Sequence, residues 1–225
     1  MNSINLDRQA LLLLILKSAF SSTNGLFYGK TGILIFFYKF SHQTIFTIPL
    51  NNLIDILISD IYNNLNNKMN HNLSDGLAGI GWGLEYLIQH DFFKADCDFL
   101  HEIDHIIMEK SLLRINDFSI EDGLEGYLHY ISIRIRGFNL KKSTHAFTLD
   151  YISEIQTLLS TNNKFKSKAN YLFHFDNLKN FVYNPNILIK YIINYEHIIN
   201  YENIQSYPLG LHDGLSGHLL KKIIY

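Results

Sequence analysis

Apolar residues recur along this chain with the spacing of α-helices. The segment 50–65 is an example, with apolar side chains at Leu53, Ile54, Leu57, Ile58, Ile61 and Leu65. These positions lie three or four residues apart, which is the pattern of one buried helix face. Similar helices, each ending in a polar loop, are predicted over 6–20, 50–65, 99–113, 147–159 and 187–199. Shorter and more uniformly apolar stretches follow at 33–40, 80–88, 127–135 and 218–224. The pattern predicts an all-α fold.

A short glycine motif precedes each of the apolar stretches. The motif is Gly-x-x-Gly, and its copies begin at Gly29, Gly76, Gly123 and Gly214. The separations are 47, 47 and 91 residues, and the last is close to twice the first, so a further copy is expected near 168–172, where the glycines are absent. A repeat of about 47 residues indicates a helical hairpin as its unit. We therefore expect about five hairpins in a single domain, 1–225.

The two helices of each predicted hairpin differ in polarity. The second helix is apolar nearly all round, whereas the first carries polar positions along one side. This asymmetry predicts inner helices surrounded by outer helices, as in an α/α toroid or a tightly curved arc. Aspartate precedes the glycine in three copies, at Asp75, Asp122 and Asp213, where we expect it to cap the inner helix. The paired glycines would let neighbouring helices approach closely.

Composition excludes several classes of function. The formal net charge is -2 and no basic stripe stands out, which argues against nucleic-acid binding. The single cysteine, Cys97, rules out an internal disulfide and a zinc cluster of several thiolates. The most apolar run, 10–16, is far shorter than the roughly 20 residues that span a bilayer. We therefore expect a cytoplasmic protein with no membrane span.

Two of the motifs resemble those of a known family. The run Gly-Leu-Ala-Gly-Ile-Gly-Trp-Gly-Leu at 76–84 resembles the repeat signature of the lanthionine synthetase C-like proteins, and Gly-Leu-Ser-Gly at 214–217 resembles their last repeat. The resemblance implies an α/α toroid and a role in the maturation of ribosomally made peptides. Family members close thioether rings. A zinc ion held by two cysteines and one histidine activates a peptide thiol, which adds to a dehydroalanine or dehydrobutyrine.

The chain departs from that family in two respects. About five hairpins are predicted where the family has about seven, so the alternatives are a smaller toroid, an open arc, or half of an assembly formed by a homo-oligomer. The later repeats contain no cysteine, and Cys97 precedes the third outer helix, so no metal ligand is transferred and no cofactor is assigned. We expect a zinc-independent protein, a pseudoenzyme that binds a precursor peptide or a peptide-modifying enzyme. A diverged thioether cyclase remains the catalytic alternative.

Candidate site residues follow from the predicted inner helices. His212 and Asp213 form a histidine–carboxylate pair that can act as a general base, or simply a loop histidine beside a cap. Residues expected at a central cavity that binds peptide are Tyr28, Lys30, Asp75, Trp82, Asp122, His129 and His218. His129 and aromatic side chains at helical spacing belong more often to a packed core than to a ligand site.

A different class of function is indicated by one further motif. His101-Glu102-Ile103-Asp104-His105 matches H-E-x-x-H, in which two histidines bind zinc and the glutamate acts as base in metallopeptidases. Asp104 is charged where such enzymes keep an uncharged residue, and no third ligand is evident. The alternative is an exposed helix face with the isoleucines turned inward. A helical-repeat interaction module unrelated to peptide maturation is the third hypothesis.

Overall fold

The computed structural model describes residues 3–42, 50–95, 97–144, 146–161, 175, 178, 181–194, 199 and 201–224. Within these ranges the regular secondary structure is all helical, which confirms the all-α prediction. The α-helices are α1 (Ser3–Ser18), α2 (Lys30–Ser41), α3 (Asn51–Asn63), α4 (Leu77–Gln89), α5 (His101–Met108), α6 (Leu124–Lys141), α7 (Leu149–Thr161), α8 (Asn186–Ile193) and α9 (Leu215–Ile224). Short 3-10 helices cover Cys97–Leu100, Leu112–Arg114 and Tyr201–Ser206. Among the described helices, none combines the length and apolar character needed to cross a bilayer.

The core is built around α2, α4 and α6. Every residue of α4 from Leu77 to Ile88 is buried, whereas α3 fully buries only Leu57 and Ile61. The first helix of this hairpin, α3, is thus more polar than the second, α4, because less of it is buried. α4 packs between α2 and α6, and α9 packs against α2 as well as against α1 and α8. The helices that follow the glycine motifs thus neighbour one another in the order α9, α2, α4, α6.

The four glycine motifs form turns with the same backbone hydrogen bond. In each turn, the N–H of the residue after the first glycine donates to the carbonyl seven residues earlier. These bonds are Lys30 to Thr23 at 3.0 Å, Leu77 to Asn70 at 2.8 Å, Leu124 to Asp117 at 2.9 Å and Leu215 to Pro208 at 2.9 Å. Four segments far apart in sequence therefore adopt the same local hydrogen bonding.

Successive turns are also joined to each other through their backbones. The residue two positions before the first glycine makes the link in each case. His212 N–H donates to Phe27 O at 2.9 Å, Phe27 N–H to Ser74 O at 2.9 Å, and Ser74 N–H to Glu121 O at 3.0 Å. The turns that begin α9, α2, α4 and α6 therefore lie side by side at one end of the molecule, which we call the turn end.

The second glycine of each motif is required by its own turn. A Cβ on Gly79 would stand 1.9 Å from Leu73 O, and a Cβ on Gly217 would stand 1.8 Å from Leu211 O. The next neighbour of Gly79 is Leu26 of the adjacent turn, whose Cβ would be 3.1 Å away. The closest approach is thus made by the preceding turn and not, as the sequence suggested, by a neighbouring helix.

The aspartate caps predicted at Asp75 and Asp122 are wrong. The N-cap residues of α2, α4 and α6 are Gly29, Gly76 and Gly123, and none has a side-chain capping bond. Carbonyls of the preceding turn satisfy N–H groups at the helix starts, so the aspartate side chains are not needed there. Their carboxylates take part in the surface of the turn end instead.

Several predicted helix bounds differ from those observed. The outer helix predicted over 99–113 is divided into Cys97–Leu100, α5 and Leu112–Arg114. The helix predicted over 187–199 ends as α8 at Ile193. The degenerate motif expected at 168–172 lies outside the described residues.

Candidate functional site

The turn end gathers carboxylates from three repeats. Asp75, Asp122 and Asp213 each precede the first glycine of their motif, and the linked turns bring them into one neighbourhood. Burial raises the pKa of Asp75, and the negative charges of Asp122 and Asp213 raise it further. Glu121, immediately before Asp122, belongs to the same neighbourhood because its carbonyl accepts the bonds from the adjacent turn.

Tyr28 occupies the same position in the first motif and lies among these carboxylates. Its side chain is 36% exposed. Its pKa is raised by burial first and then by four negative charges, those of Asp213, Glu121, Asp75 and Asp122. The phenol therefore stays protonated and offers a hydrogen-bond donor in the middle of an acidic surface.

Two of the carboxylates each have one oxygen that accepts no hydrogen bond from a described residue. Oδ1 of Asp75 and Oδ1 of Asp213 are buried and accept no hydrogen bond from any described residue. Oδ1 of Asp122 is different, because it accepts from Asn72 Nδ2 at 2.5 Å and from Ser74 Oγ at 3.2 Å. Buried acceptors without donors are costly in proteins, and such groups favour a partner with N–H or O–H groups.

His212 is held at the turn end by aromatic contacts. Its ring stacks on Phe27, with centroids 5.6 Å apart and planes at 18°, and it meets Tyr28 edge-on at 5.5 Å. Its backbone N–H donates to Phe27 O. The structure therefore brings the predicted pair His212 and Asp213 together with Tyr28, Asp75 and Asp122.

Two further tyrosines border this surface, and sequence reasoning missed both. Tyr191 of α8 is 45% exposed and donates from its hydroxyl to Glu121 Oε1 at 3.3 Å. The pKa of Tyr207 is raised by burial and by the charge of Asp213. Neither residue lies in a glycine motif, so the repeat offered no signal for them. Glu121 had such a signal, because it directly precedes a motif aspartate.

A polar pocket adjoins Asp75. Its volume is about 540 Å³, and it is lined by short polar side chains of 21–24 together with Lys30, Asp60, Asn64 and Asn66. Lys30 is only 5% exposed and forms an ion pair with Asp60. The predicted site residue Lys30 thus lines this pocket, in which Asp75 is the second acidic side chain.

Trp82 and His129 lie in the core and not at the turn end. Both are buried, and both contact the buried hydroxyl of Tyr183. Trp82 Nε1 donates to that hydroxyl at 3.2 Å, and His129 Nδ1 is 2.7 Å from it. Since the tyrosine oxygen accepts from Trp82, its own proton is available to His129 Nδ1. These side chains form a satisfied polar contact between α4, α6 and the segment before α8.

His218 is also separate from the acidic surface. Its Nε2 is 3.8 Å from Asp7 Oδ1 on α1, and Lys222 Nζ donates to the same oxygen at 2.5 Å. The side of α9 that carries His218 therefore faces α1.

The H-E-x-x-H segment forms α5, whose first residue is His101. Glu102 and His105 are exposed, whereas Asp104 is fully buried. Asp104 accepts hydrogen bonds from Arg134 Nε at 2.9 Å and from the Tyr130 hydroxyl at 2.6 Å. Asp104, which is charged where metallopeptidases keep an uncharged residue, thus faces inward and pairs with the buried Arg134. Over the part of the chain that the structure describes, no three His, Cys, Asp or Glu side chains are grouped to hold a metal ion.

Comparison with known proteins finds no match to a protein-family model, to a curated protein or to a solved structure.

Proposed function

We propose that this chain is a diverged lanthionine synthetase C-like protein that binds a cationic peptide segment at its turn end, without zinc. The observation that carries the proposal is the gathering of Asp75 and Asp213 near Tyr28: each carboxylate has a buried oxygen that accepts from no described residue, and the charge of each raises the pKa of the tyrosine. The peptide would be a precursor of a ribosomal natural product, or a basic segment of the enzyme that modifies it.

The backbone geometry supports the toroid or arc in this proposal. Four turns share one hydrogen-bond pattern, and their mutual bonds run in the order His212, Phe27, Ser74, Glu121. The last helix, α9, packs on α2 at the beginning of the chain. A curved arrangement of about five hairpins with a 47-residue repeat explains both features, because it brings the last repeat back to the first.

The chemistry of the turn end suits a peptide with lysine or arginine side chains. Ammonium and guanidinium groups donate to carboxylate oxygens in charge-assisted hydrogen bonds, which are the stronger kind. Tyr28 and Tyr191, both partly exposed, add ring faces on which a cation is favoured. The polar pocket of about 540 Å³ beside Asp75 has room for a peptide side chain.

We propose binding without catalysis because the residues that hold zinc in the lanthionine synthetase C-like family are not matched in this chain. The chain has one cysteine, so the cysteine pair that holds zinc in the resembling family has no counterpart. A surface that holds the peptide for a separate modifying enzyme requires only the carboxylates and aromatic groups described above.

A labelled short lysine-rich peptide tests the proposal by fluorescence anisotropy. The protein should bind it and should not bind a glutamate-rich peptide of the same length. The double variant Asp75→Asn/Asp213→Asn should weaken binding about tenfold or more, because two charge-assisted contacts are lost. Asp55→Asn, an exposed carboxylate on α3, is the matched control and should leave the affinity unchanged within about twofold. Equal binding of both peptides, or an unaffected double variant, would refute the proposal.

A further inference from the structure

The first helix, α1, has an apolar side that faces outward. Its fully buried residues lie four residues apart, at Ala10, Leu14 and Ser18. On the other side of the helix, Leu12 is 49% exposed, Leu16 is 68% exposed and Phe20 is 86% exposed. A helix that is apolar nearly all round is normally buried on every side. The exposed side of α1 is therefore available to a partner.

These apolar residues form a stripe that begins at Arg8, which is also exposed. Arg8, Leu12, Leu16 and Phe20 follow one another at intervals of four residues, so they lie on one side of the helix. Phe20 lies beyond the last residue of α1, but its N–H donates to Lys17 O at 3.0 Å, so the helical turn continues to it. At about 1.5 Å of rise per residue, the stripe is about 18 Å long.

The stripe is complementary to a second copy of itself. An antiparallel pair related by a two-fold axis at the level of Leu14 places Leu12 of each copy against Leu16 of the other. It also places Arg8 of each copy against Phe20 of the other, and a guanidinium over an aromatic ring is a favourable contact. In a parallel pair, Arg8 would face Arg8 of the second copy, where like charges repel. Ridges of residues four apart also interlock in the commonest class of helix packing.

We propose that this side of α1 packs against the same side of a second copy of the chain, in an antiparallel, two-fold symmetric dimer. Gln9, which is exposed, and Ala19, which is partly exposed, flank the stripe and face each other across the axis. Stable interfaces commonly use about 20–30 residues a side, and one helix face supplies fewer, so we expect association in the micromolar range. The interface contains none of the residues of the turn end and does not depend on peptide binding there.

Sedimentation velocity over a protein concentration of about 1–100 μM tests the association. The unmodified protein should shift from the mass of one chain to that of two as the concentration rises. Leu16→Glu should weaken dimerisation about tenfold or more, because symmetry places the new carboxylate in the apolar interface twice. Phe20→Leu keeps an apolar side chain but removes the aromatic ring, and it should weaken dimerisation about threefold or more.

A matched control separates the interface from general effects of added charge. Leu140→Glu makes the same substitution at an exposed leucine of α6, and it should leave the dimerisation constant within about twofold of that of the unmodified protein. Melting curves by circular dichroism establish that each variant is folded before it is sedimented. Leu16 is mostly exposed, so its replacement leaves the packed side of α1 intact.

Cross-linking tests the antiparallel orientation. Gln9→Cys and Ala19→Cys are each made in a Cys97→Ser background, which removes the single native cysteine. A short bifunctional thiol reagent should join the two variants when they are mixed. Each variant alone should cross-link poorly, because the two copies of the same position lie about 15 Å apart along an antiparallel pair. Efficient cross-linking of each variant to itself would indicate a parallel pair and contradict the proposed arrangement.

Two results would overturn the dimer itself. One is sedimentation of the unmodified protein as a single chain at every concentration, and the other is unchanged association of folded Leu16→Glu. Flotation of such a monomeric protein with phosphatidylcholine vesicles would assign the apolar side of α1 to a lipid surface instead. Folded Leu16→Glu should still bind the lysine-rich peptide, so failure of the dimer and failure of peptide binding at the turn end are distinguishable.

Discussion

At the scale of single residues, the aspartates of the repeat have a different role from the one that local chemistry suggests. An aspartate before glycine at a helix start is a common cap. In α4 the carbonyl of Asn70 already accepts the first helix N–H, and Asp75 is left facing other carboxylates. The charge of Asp75 is thus unfavourable for the folded state, which is a frequent property of functional residues.

The pH dependence of stability follows from the raised pKa of Asp75. The folded-state value lies above the ordinary value of 3.8, so the folded state binds the proton more tightly than the unfolded state. The contribution to stability is therefore present below pH 3.8 and is lost as pH rises through the folded-state pKa. Asp75→Asn should raise the melting temperature at pH 7, and the difference should shrink as the pH falls towards 3.8.

Because Asp75 is partly exposed, solvent screening keeps the effect below about 1 kcal/mol, or about 2–4 °C in melting temperature. Thermal unfolding of both proteins across a pH series measures it. A variant that melts below the unmodified protein at pH 7 would contradict this reading. Asp55→Asn, on an exposed face of α3, provides the comparison for loss of a single negative charge.

At the scale of helices, a buried ionic network joins α4, α5 and α6. Arg134 donates from Nη1 to Glu85 Oε2 at 2.6 Å and from Nη2 to Asp104 Oδ2 at 2.5 Å. All three side chains are almost fully buried. Gly137 makes room for it, because a Cβ there would stand 1.8 Å from Glu85 Oε1. The network fixes which face of α5 turns inward and leaves His105 outside.

Removal of the arginine should expose how strongly this network holds the helices together. Arg134→Met leaves two buried carboxylates without their cation, which typically costs about 3–5 kcal/mol. Urea unfolding followed by circular dichroism measures the loss. Arg114→Met, at an exposed position, should change stability by less than about 0.5 kcal/mol. A loss below about 1 kcal/mol for Arg134→Met would show that the carboxylates find other partners.

At the scale of the whole molecule, the linked turns make distant parts of the chain one structural unit. Phe27 and His212 are joined by a backbone hydrogen bond of 2.9 Å although they belong to the first and last motifs. Asp7 on α1 and Lys222 on α9 add a second link between the two ends of the described chain. Unfolding of one turn therefore removes support from its neighbours.

Hydrogen exchange tests this continuity. The amides of Phe27, Ser74 and His212 lie outside helices, and amides in such segments usually exchange quickly. Because each donates to the adjacent turn, we expect protection comparable with that of the buried helices α2 and α4. Mass spectrometry or NMR of exchanging protein provides the measurement. Rapid exchange at these three amides, with α2 and α4 protected, would contradict a single cooperative unit.

Local sequence pattern determined the helices and the turns of this protein. Apolar spacing depends on neighbours a few residues away, so it predicted the helical class and the burial of α4, although not the short length of α5 and α8. The glycine motif predicted where the turns lie, but the reason for its second glycine came from the structure, in which a Cβ on Gly79 would stand 1.9 Å from the carbonyl oxygen of Leu73 in the same turn.

Only the tertiary structure decided which side chains meet. Tyr191 and Tyr207 carry no motif, and they reach the acidic surface because α8 and the segment before α9 pack beside the turns. The buried position of Asp104 likewise depends on Arg134, which lies 30 residues away and on another helix. Helical periodicity is a property of short segments, whereas ion pairing and aromatic contact depend on distances that arise only when separate helices pack together.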